Sequence, residues 1–319
     1  MKNKMIAVGL ALILISAGNV FAQQFDLGDL QSDINAFSAE MAETLPFNSA
    51  LGLSWSDAYI GNFPHFGVGA FAGASLMDAT TVMNLLDDFD ISVPFDINSI
   101  PLPAAGAEAR LGGLIIPFDI GLKLGWLPAI DLPNSSFDYF MVGADIRYAI
   151  MKGNIILPKI TLGVGYNYMQ GDIKTSMDGG MSYDIDSYTI SVSDPEVNLK
   201  WSTQVVDVKL QVSKNLFFVT PSVGIGASYS WSEAGYNVSS NTTFNGDIED
   251  INAALESQGL PAINLGNNGF GSIIENSGWD VRLFAGLAFN ILVIKIDLNA
   301  MYDLNNEIWN AGLGVRFQI

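Results

Sequence analysis

The chain has 319 residues, 49% apolar and 15% charged, with 32 Gly, no Cys, one His, and 33 acidic against 14 basic residues, a formal net charge of −19. Without cysteine there is no thiolate chemistry, no disulfide and no zinc–cysteine site. So acidic a chain also fits nucleic acid poorly, because phosphates need a basic surface, and its mean hydropathy of +0.30 argues against disorder.

Lys2 and Lys4 precede an apolar stretch from Met5 to Ile15, and Val20-Phe21-Ala22 supplies tolerated residues before Gln23. Residues 1–22 therefore read as a cleaved secretory signal peptide. In the next segment, 23–48, Leu27, Leu30, Ile34, Phe37 and Met41 recur at i+3 and i+4, with Asp29, Asp33 and Glu40 between. That spacing predicts an amphipathic helix of about four turns ending before Pro46. It cannot bury its stripe alone, so it is expected to plug or gate a barrel from within, to lie across the periplasmic mouth, or to pack on another chain.

From residue 49 onward the period is two. Phe118, Ile120, Leu122, Leu124 and Trp126 alternate with Asp119, Gly121, Lys123 and Gly125. The same pattern recurs from Phe140 to Tyr148, Ile160 to Tyr168, Trp279 to Phe289, Leu292 to Tyr302 and Trp309 to Ile319. Alternation this long exceeds an ordinary strand and matches the roughly 9–11 tilted residues of a transmembrane strand. No later segment is long enough to cross as a helix: the run Ile291 to Ile296 already contains Lys295. Ten strands are expected, near 65–76, 104–115, 117–127, 138–150, 156–169, 204–213, 216–231, 279–289, 292–302 and 307–319. Ala50 to Trp55 also alternates, which keeps twelve strands open. Short connectors alternate with long ones at 77–103, 170–196 and 232–278, as short periplasmic turns and long external loops do. A hairpin is expected at 183–193. Trp201 is out of phase with Val206, Val208 and Leu210, which predicts a bulge near Val205-Val206.

Trp126, Tyr139, Tyr168, Trp201, Trp231, Trp279, Tyr302 and Trp309 fall at the strand ends facing the long connectors, as an interfacial girdle would. Tyr148, Phe217, Phe289 and Phe317 suit a thinner inner girdle. Charges on the strands oppose the apolar positions and pair at i, i+2: Glu108 with Arg110, Asp145 with Arg147, Asp207 with Lys209, Asp280 with Arg282, and Lys295 with Asp297. With Asp119, Lys123 and Arg316 they predict a lumen charge ladder, either a structural network or a permeation path.

Catalytic and metal chemistry are not expected, and no cofactor is implied. His65 lies in the turn Gly61 to His65 with no evident Ser or Asp partner. The acidic runs Asp87 to Asp90, Asp184 to Asp186 and Asp247 to Asp250 lack the spacing of a calcium loop and read as solvated charge.

The ending Gly312-Leu313-Gly314-Val315-Arg316-Phe317-Gln318-Ile319 resembles the C-terminal strand signature by which outer-membrane barrels are recognised for assembly, with aliphatic Ile319 in place of the usual final aromatic. The stretch from Leu45-Pro46-Phe47 to Asp57-Ala58-Tyr59 is similar to predicted spirochaete outer-membrane barrels. An N-terminal element ahead of a barrel also resembles, in architecture alone, the long-chain fatty-acid transporter family, whose barrels carry more strands. These resemblances imply a bacterial outer-membrane location and, as partners, membrane lipid and the outer-membrane assembly machinery.

The sequence thus predicts an all-β antiparallel transmembrane barrel of ten strands (alternatively twelve) with an N-terminal amphipathic helix. Passive transport of a small hydrophobic solute, gated by that helix, is the expected activity. Leu85, Leu86, Phe89, Ile248, Ile251 and Leu255 would form the basin where the solute arrives. The alternative is a surface structural or adhesion protein whose lumen is closed by the charge ladder.

Overall fold

The computed structural model describes residues 27–80, 83, 98–113, 117–132, 135–176, 181–185, 188–192, 196–239, 242–245 and 269–319. The expected signal peptide, the apolar basin residues and two of the acidic runs lie outside them, as do the side chains of Leu27, Leu30, Ile34 and Asp184 to Asp186. Helix α1 (Leu27–Ser49) comes first, followed by strands β1 (His65–Asp78), β2 (Ser99–Gly112), β3 (Phe118–Leu132), β4 (Ser135–Met151) and β5 (Lys159–Ser176). Then come β6 (Met181–Ile185), β7 (Tyr188–Val192), β8 (Glu196–Ser213), β9 (Val219–Ser239), β10 (Thr242–Phe244), β11 (Gly269–Ile291), β12 (Ile294–Asp303) and β13 (Trp309–Gln318).

Ten strands close into one antiparallel barrel in the order β1-β13-β12-β11-β9-β8-β5-β4-β3-β2. Closure is made by β1 on β13, from Gly67 opposite Gln318 to Leu76 opposite Trp309. The remaining three, β6, β7 and β10, form a separate small sheet that contains the expected 183–193 hairpin. The alternative of twelve barrel strands is overturned. Ala50 to Trp55 is an irregular segment with Gly52 and Leu53 at positive φ, which no strand accommodates.

Alternation sets the two faces. On β3, Leu122, Leu124 and Trp126 are exposed, while Asp119, Gly121 and Lys123 are buried. The exterior belt continues through Val142, Ile146, Val164, Val208, Val223, Leu283, Leu298 and Val315, all exposed. A contiguous apolar surface of this kind encircling a barrel is the surface that a bilayer covers. Among the described residues no helix is long and apolar enough to cross a membrane.

Several strands run beyond the alternating segments, β9 to Ser239 and β11 from Gly269. The outer wall therefore rises past the belt, and the long connections shorten to 79–98, 177–195 and 240–268. The expected bulge at Val205-Val206 is absent, since β8 pairs in unbroken register with both β5 and β9. Trp201 is in phase with Thr203, Val205 and Asp207, and like them is buried on the lumen side. Register shifts occur instead at Leu127/Ile130 and Ala149/Met151. Helix α1 likewise does not stop before Pro46 but runs through it to Ser49. Proline deletes one backbone donor; the last turn is tightened by Ser49 Oγ donating to Pro46 O at 2.8 Å and Ala50 N donating to Phe47 O at 3.2 Å.

Candidate functional site

The lumen is occupied by the chain's own N-terminal segment. At the mouth where the long connections leave, Phe37, Met41, Ala42 and Leu45 of α1 pack on Met77 at the end of β1, Ile100 near the start of β2, and Leu199, Trp201 and Tyr236 of β8 and β9. Deeper in, Phe47 and Ala50 meet Met301 and Ile308, and Leu51 meets Phe71, Tyr139, Met141 and Met169. Residues 50–60 then descend to the short-turn mouth, where the chain joins the wall at His65. The insert is thus threaded from the long-connection mouth toward the short turns, with the N-terminal end of α1 on the long-connection side.

The ladder residues divide into two sets by what they bind. Glu108 and Lys123 are direct cross-strand neighbours, yet each turns to the insert. Glu108 accepts from Leu53 N at 2.5 Å and from Trp55 Nε1 at 2.7 Å. Lys123 Nζ donates to Ser49 O at 2.6 Å and to Leu51 O at 2.5 Å. The carboxylate takes the donors of the passing backbone, and the ammonium takes its carbonyls. Lower down, Asp297 accepts from Ser56 N at 2.9 Å, Gln211 donates to Trp55 O at 2.8 Å, and Arg147 donates to Asp57 O at 3.2 Å. Trp55 lies between two guanidinium groups, 4.2 Å from Arg316 and 5.2 Å from Arg110, a cation–π arrangement on both sides.

The second set is a chain of ion pairs around the wall. Arg110 bridges Asp119 at 2.8 Å and Asp145 at 2.9 Å, and Arg147 bridges Asp119 at 2.6 Å. Lys209 links Asp145 at 3.8 Å to Asp207 at 3.5 Å, and Asp207 pairs with Arg282 at 3.2 Å. Arg316 pairs with Asp297. Of the five expected i, i+2 pairs only Asp207–Lys209 closes; in the other four, Arg110, Asp145, Arg147, Arg282 and Asp297 pair with other strands, and Glu108 turns to the insert. Geometry explains the replacement: two residues along a strand separate side chains by about 7 Å, whereas neighbouring strands are about 4.8 Å apart. Glycine extends the reach further. Arg110 and Asp145 both stand opposite Gly121 in the register, and a methyl group there would run into the Asp145 carboxylate. Asp280 and Lys295 stand on the same face, but neither joins an ion pair among the described residues.

Of the girdle residues, Trp126, Trp231, Trp279 and Trp309 are exposed on the outer wall. Tyr302 rests on Trp309 with ring centroids 4.7 Å apart, and Tyr168 Oη donates to Gln170. Tyr139 is a correction. It shares the parity of Met141, points into the lumen, and its hydroxyl bonds both the N–H and the carbonyl of Ala105 at 2.7 Å. Trp201, read as part of that rim, is inside for the same reason. Of the inner-girdle residues, Tyr148, Phe217 and Phe317 are exposed on the outside.

The residues that sequence reasoning missed lie in the insert: Trp55, whose indole is clamped, and Asp57, which pairs with Lys159 at 2.9 Å. Their signal was a buried-type tryptophan and an acid in a stretch without period. His65 is the first residue of β1, not part of a turn; it is buried, with Tyr59 edge-on at 5.5 Å and Gln318 Nε2 at 3.4 Å from its Nε2. Among the described residues no group of three or more potential ligands is placed to hold a metal ion.

Beside the insert a space of about 30 Å³ remains, lined by Leu53, Ser54, Lys209, Gln211, Arg282 and Asn299, room for one or two waters. A larger groove of about 820 Å³ lies on the outer wall above the belt, with Trp126, Asp138, Asp172, Lys200 and Glu233 among its lining.

No curated protein matches the chain. Among solved structures it is similar to the outer membrane protease OmpT from Escherichia coli, at 10% identity over 83% of this chain and 100% of that one, with a TM-score of 0.42. It is also similar to the translocator domain of the autotransporter NalP from Neisseria meningitidis, at 10% identity over 92% and 99%, TM-score 0.38. Ail, the attachment invasion locus protein of Yersinia pestis, aligns at 11% identity over 80% and 97%, TM-score 0.29. The Lsa36-like family profile matches residues 131–319, from the end of β3 to the last residue, more than half of the chain, and the protein belongs to the Lsa36-like family.

Proposed function

We propose that this protein is a bacterial outer-membrane barrel kept shut by its own N-terminal insert, a surface structural protein that presents its raised outer wall on the long-connection side. The observation that carries this reading is the clamp of Glu108 and Lys123 on residues 49–55. Hydrogen bonds to charged groups are each worth about 1.5–3 kcal/mol, and these are buried, where leaving one unmade is costly. Beside the insert the described residues leave a space of about 30 Å³, room for one or two waters. Ten strands enclose little more than the eight whose side chains just fill a barrel.

Passive passage of a small, hydrophobic solute is the second reading, with α1 as the gate. It is favoured by a difference in attachment: α1 is held mainly by apolar packing, residues 49–58 by polar clamps. Planar-bilayer recording on the refolded protein separates the two. The full chain, the chain without residues 23–44, and a Glu108→Gln/Lys123→Met variant are compared. Silence from the first two and stepwise current from the third is the expected result. Current from the full chain overturns the closed-lumen reading, and current appearing on deletion of 23–44 alone makes α1 the gate.

A further inference from the structure

The short turns opposite the long connections are unusually apolar at their tips. Phe217 is 100% exposed, Ile155 95%, Leu292 93% and Ile156 86%, with Phe218 and Val293 exposed beside them. Turns that face water are ordinarily polar, and large apolar tips at three neighbouring connections form a surface that calls for an occupant.

We propose that this rim is seated in the lipid leaflet on its side, at the boundary between headgroups and acyl chains, with Lys152 reaching anionic phosphates. The proposal rests on the membrane-barrel reading, and three observations select lipid as the occupant. The first is the backbone. In lipid a polar main-chain group needs an internal partner, and at the 154–157 tip most of these groups have one. Asn154 N donates to Leu157 O at 3.0 Å. Asn154 Oδ1 accepts from Ile156 N and Leu157 N, each at 2.8 Å. Lys214 Nζ crosses from the neighbouring turn to the carbonyls of Asn154, Ile155 and Leu157 at 3.0, 2.7 and 3.1 Å. The tip presents hydrocarbon outward, while the N–H groups of Asn154, Ile156 and Leu157 and the carbonyls of Asn154, Ile155 and Leu157 are bonded within the protein.

The second is charge. In a chain of net charge −19, the stretches 150–159, 213–219 and 289–295 contain Lys152, Lys159, Lys214 and Lys295 and no Asp or Glu. Lys159 is neutralised by Asp57 inside the mouth, while Lys152 is exposed at the rim. Long lysine stems lie along apolar surface and place their heads at the phosphates. The third is continuity: Tyr148, Ile150, Ile291 and Ile294 are exposed and join the belt to the tips, with no charged ring between.

The chain has no cysteine, so single-cysteine labelling is clean. An environment-sensitive fluorophore is attached to Phe217→Cys and, as a mid-belt control, to Leu122→Cys. Both proteins are refolded into phosphatidylcholine vesicles with and without phosphatidylglycerol. At 217 a blue-shifted emission, quenching by lipids spin-labelled near the headgroup and loss of iodide quenching are expected. Phosphatidylglycerol deepens the shift, and Lys152→Glu abolishes that deepening. A label at 217 quenched by iodide while the label at 122 is shielded overturns the proposal, leaving the rim for a protein partner and the membrane reading intact. Both labels wet overturns the membrane reading itself. A shielded 217 that ignores phosphatidylglycerol overturns the role of Lys152.

Discussion

Trp55 and Glu108 meet inside the barrel, indole Nε1 donating to carboxylate Oε1 at 2.7 Å, while the other oxygen of Glu108 takes the N–H of Leu53. One wall residue thereby fixes both the backbone and the side chain of the insert. Glu108→Ala leaves two buried donors without partners, and each such loss costs about 1–3 kcal/mol. The variant is expected to unfold at clearly lower urea concentration in vesicles, with Trp55 exposed to protease earlier than the wall strands. Glu108→Gln keeps one acceptor and is expected to lose about half as much. Equal midpoints for wild type and Glu108→Ala would show that the clamp contributes nothing.

Gly121 and Gly163 give a paired test of the ion network. A methyl group at Gly121 collides with the Asp145 carboxylate and stands 2.9 Å from Arg110 Nη2, whereas at Gly163 its nearest neighbour is Arg147 Cγ at an ordinary 3.4 Å. Gly121→Ala is therefore expected to destabilise by about 1–3 kcal/mol through overpacking and a broken buried pair. Gly163→Ala is expected to change stability by no more than about 0.5 kcal/mol. Thermal midpoints by heat-modifiable gel migration decide between them, and equal effects would refute the geometric argument.

Both glycines show how far the sequence could be read. The two-residue period at Phe118 to Trp126 placed the charges and glycines on the lumen side because alternation is a local property of a strand. Strand number followed, since each crossing carries its own period. Which charge meets which depends on stagger between strands, which no local pattern encodes, and so four of five adjacent pairs do not close. Residues 50–60 form no strand, because they are shaped by the walls around them. Their alternation from Ala50 to Trp55 imitated a strand. Tyr139 and Trp201 were placed by their position near a strand end, although their parity with Met141 and Val205 already pointed inward.

Glu40 links α1 to pH. Burial pushes its carboxyl above the usual range, with Glu43 and Asp78 adding to the effect, partly opposed by the hydrogen bond from Asp78 N at 3.3 Å. A carboxyl raised in the folded state stabilises docking fully when the pH is below its unfolded value, and that contribution is lost as the pH rises through the folded value. Protection of α1 amides, corrected for intrinsic exchange, is expected to be greater near pH 4 than near pH 7. Because the side chain is still partly wet, the gain is small. Glu40→Gln should flatten the dependence; a variant that retains it would assign the effect to another group.

The direction of threading makes a topological prediction. Phe37 packs at the long-connection mouth and Asp57 at the short-turn mouth, so exposed Ser32 lies on the same side as the long connections and exposed Asn62 on the opposite side. Short turns face the periplasm in outer-membrane barrels, so the proposed outer-membrane location would put Ser32 at the cell surface. In intact cells a membrane-impermeant maleimide is expected to label Ser32→Cys without permeabilisation, and Asn62→Cys only after the outer membrane is opened. The insert would then have been drawn through the lumen during assembly, or the wall closed around it, since Phe37 and Asp57 lie at opposite mouths of a sheet sealed by β1 on β13. Labelling of Asn62→Cys alone in intact cells would invert the orientation, and labelling of both would mean that the insert leaves the barrel.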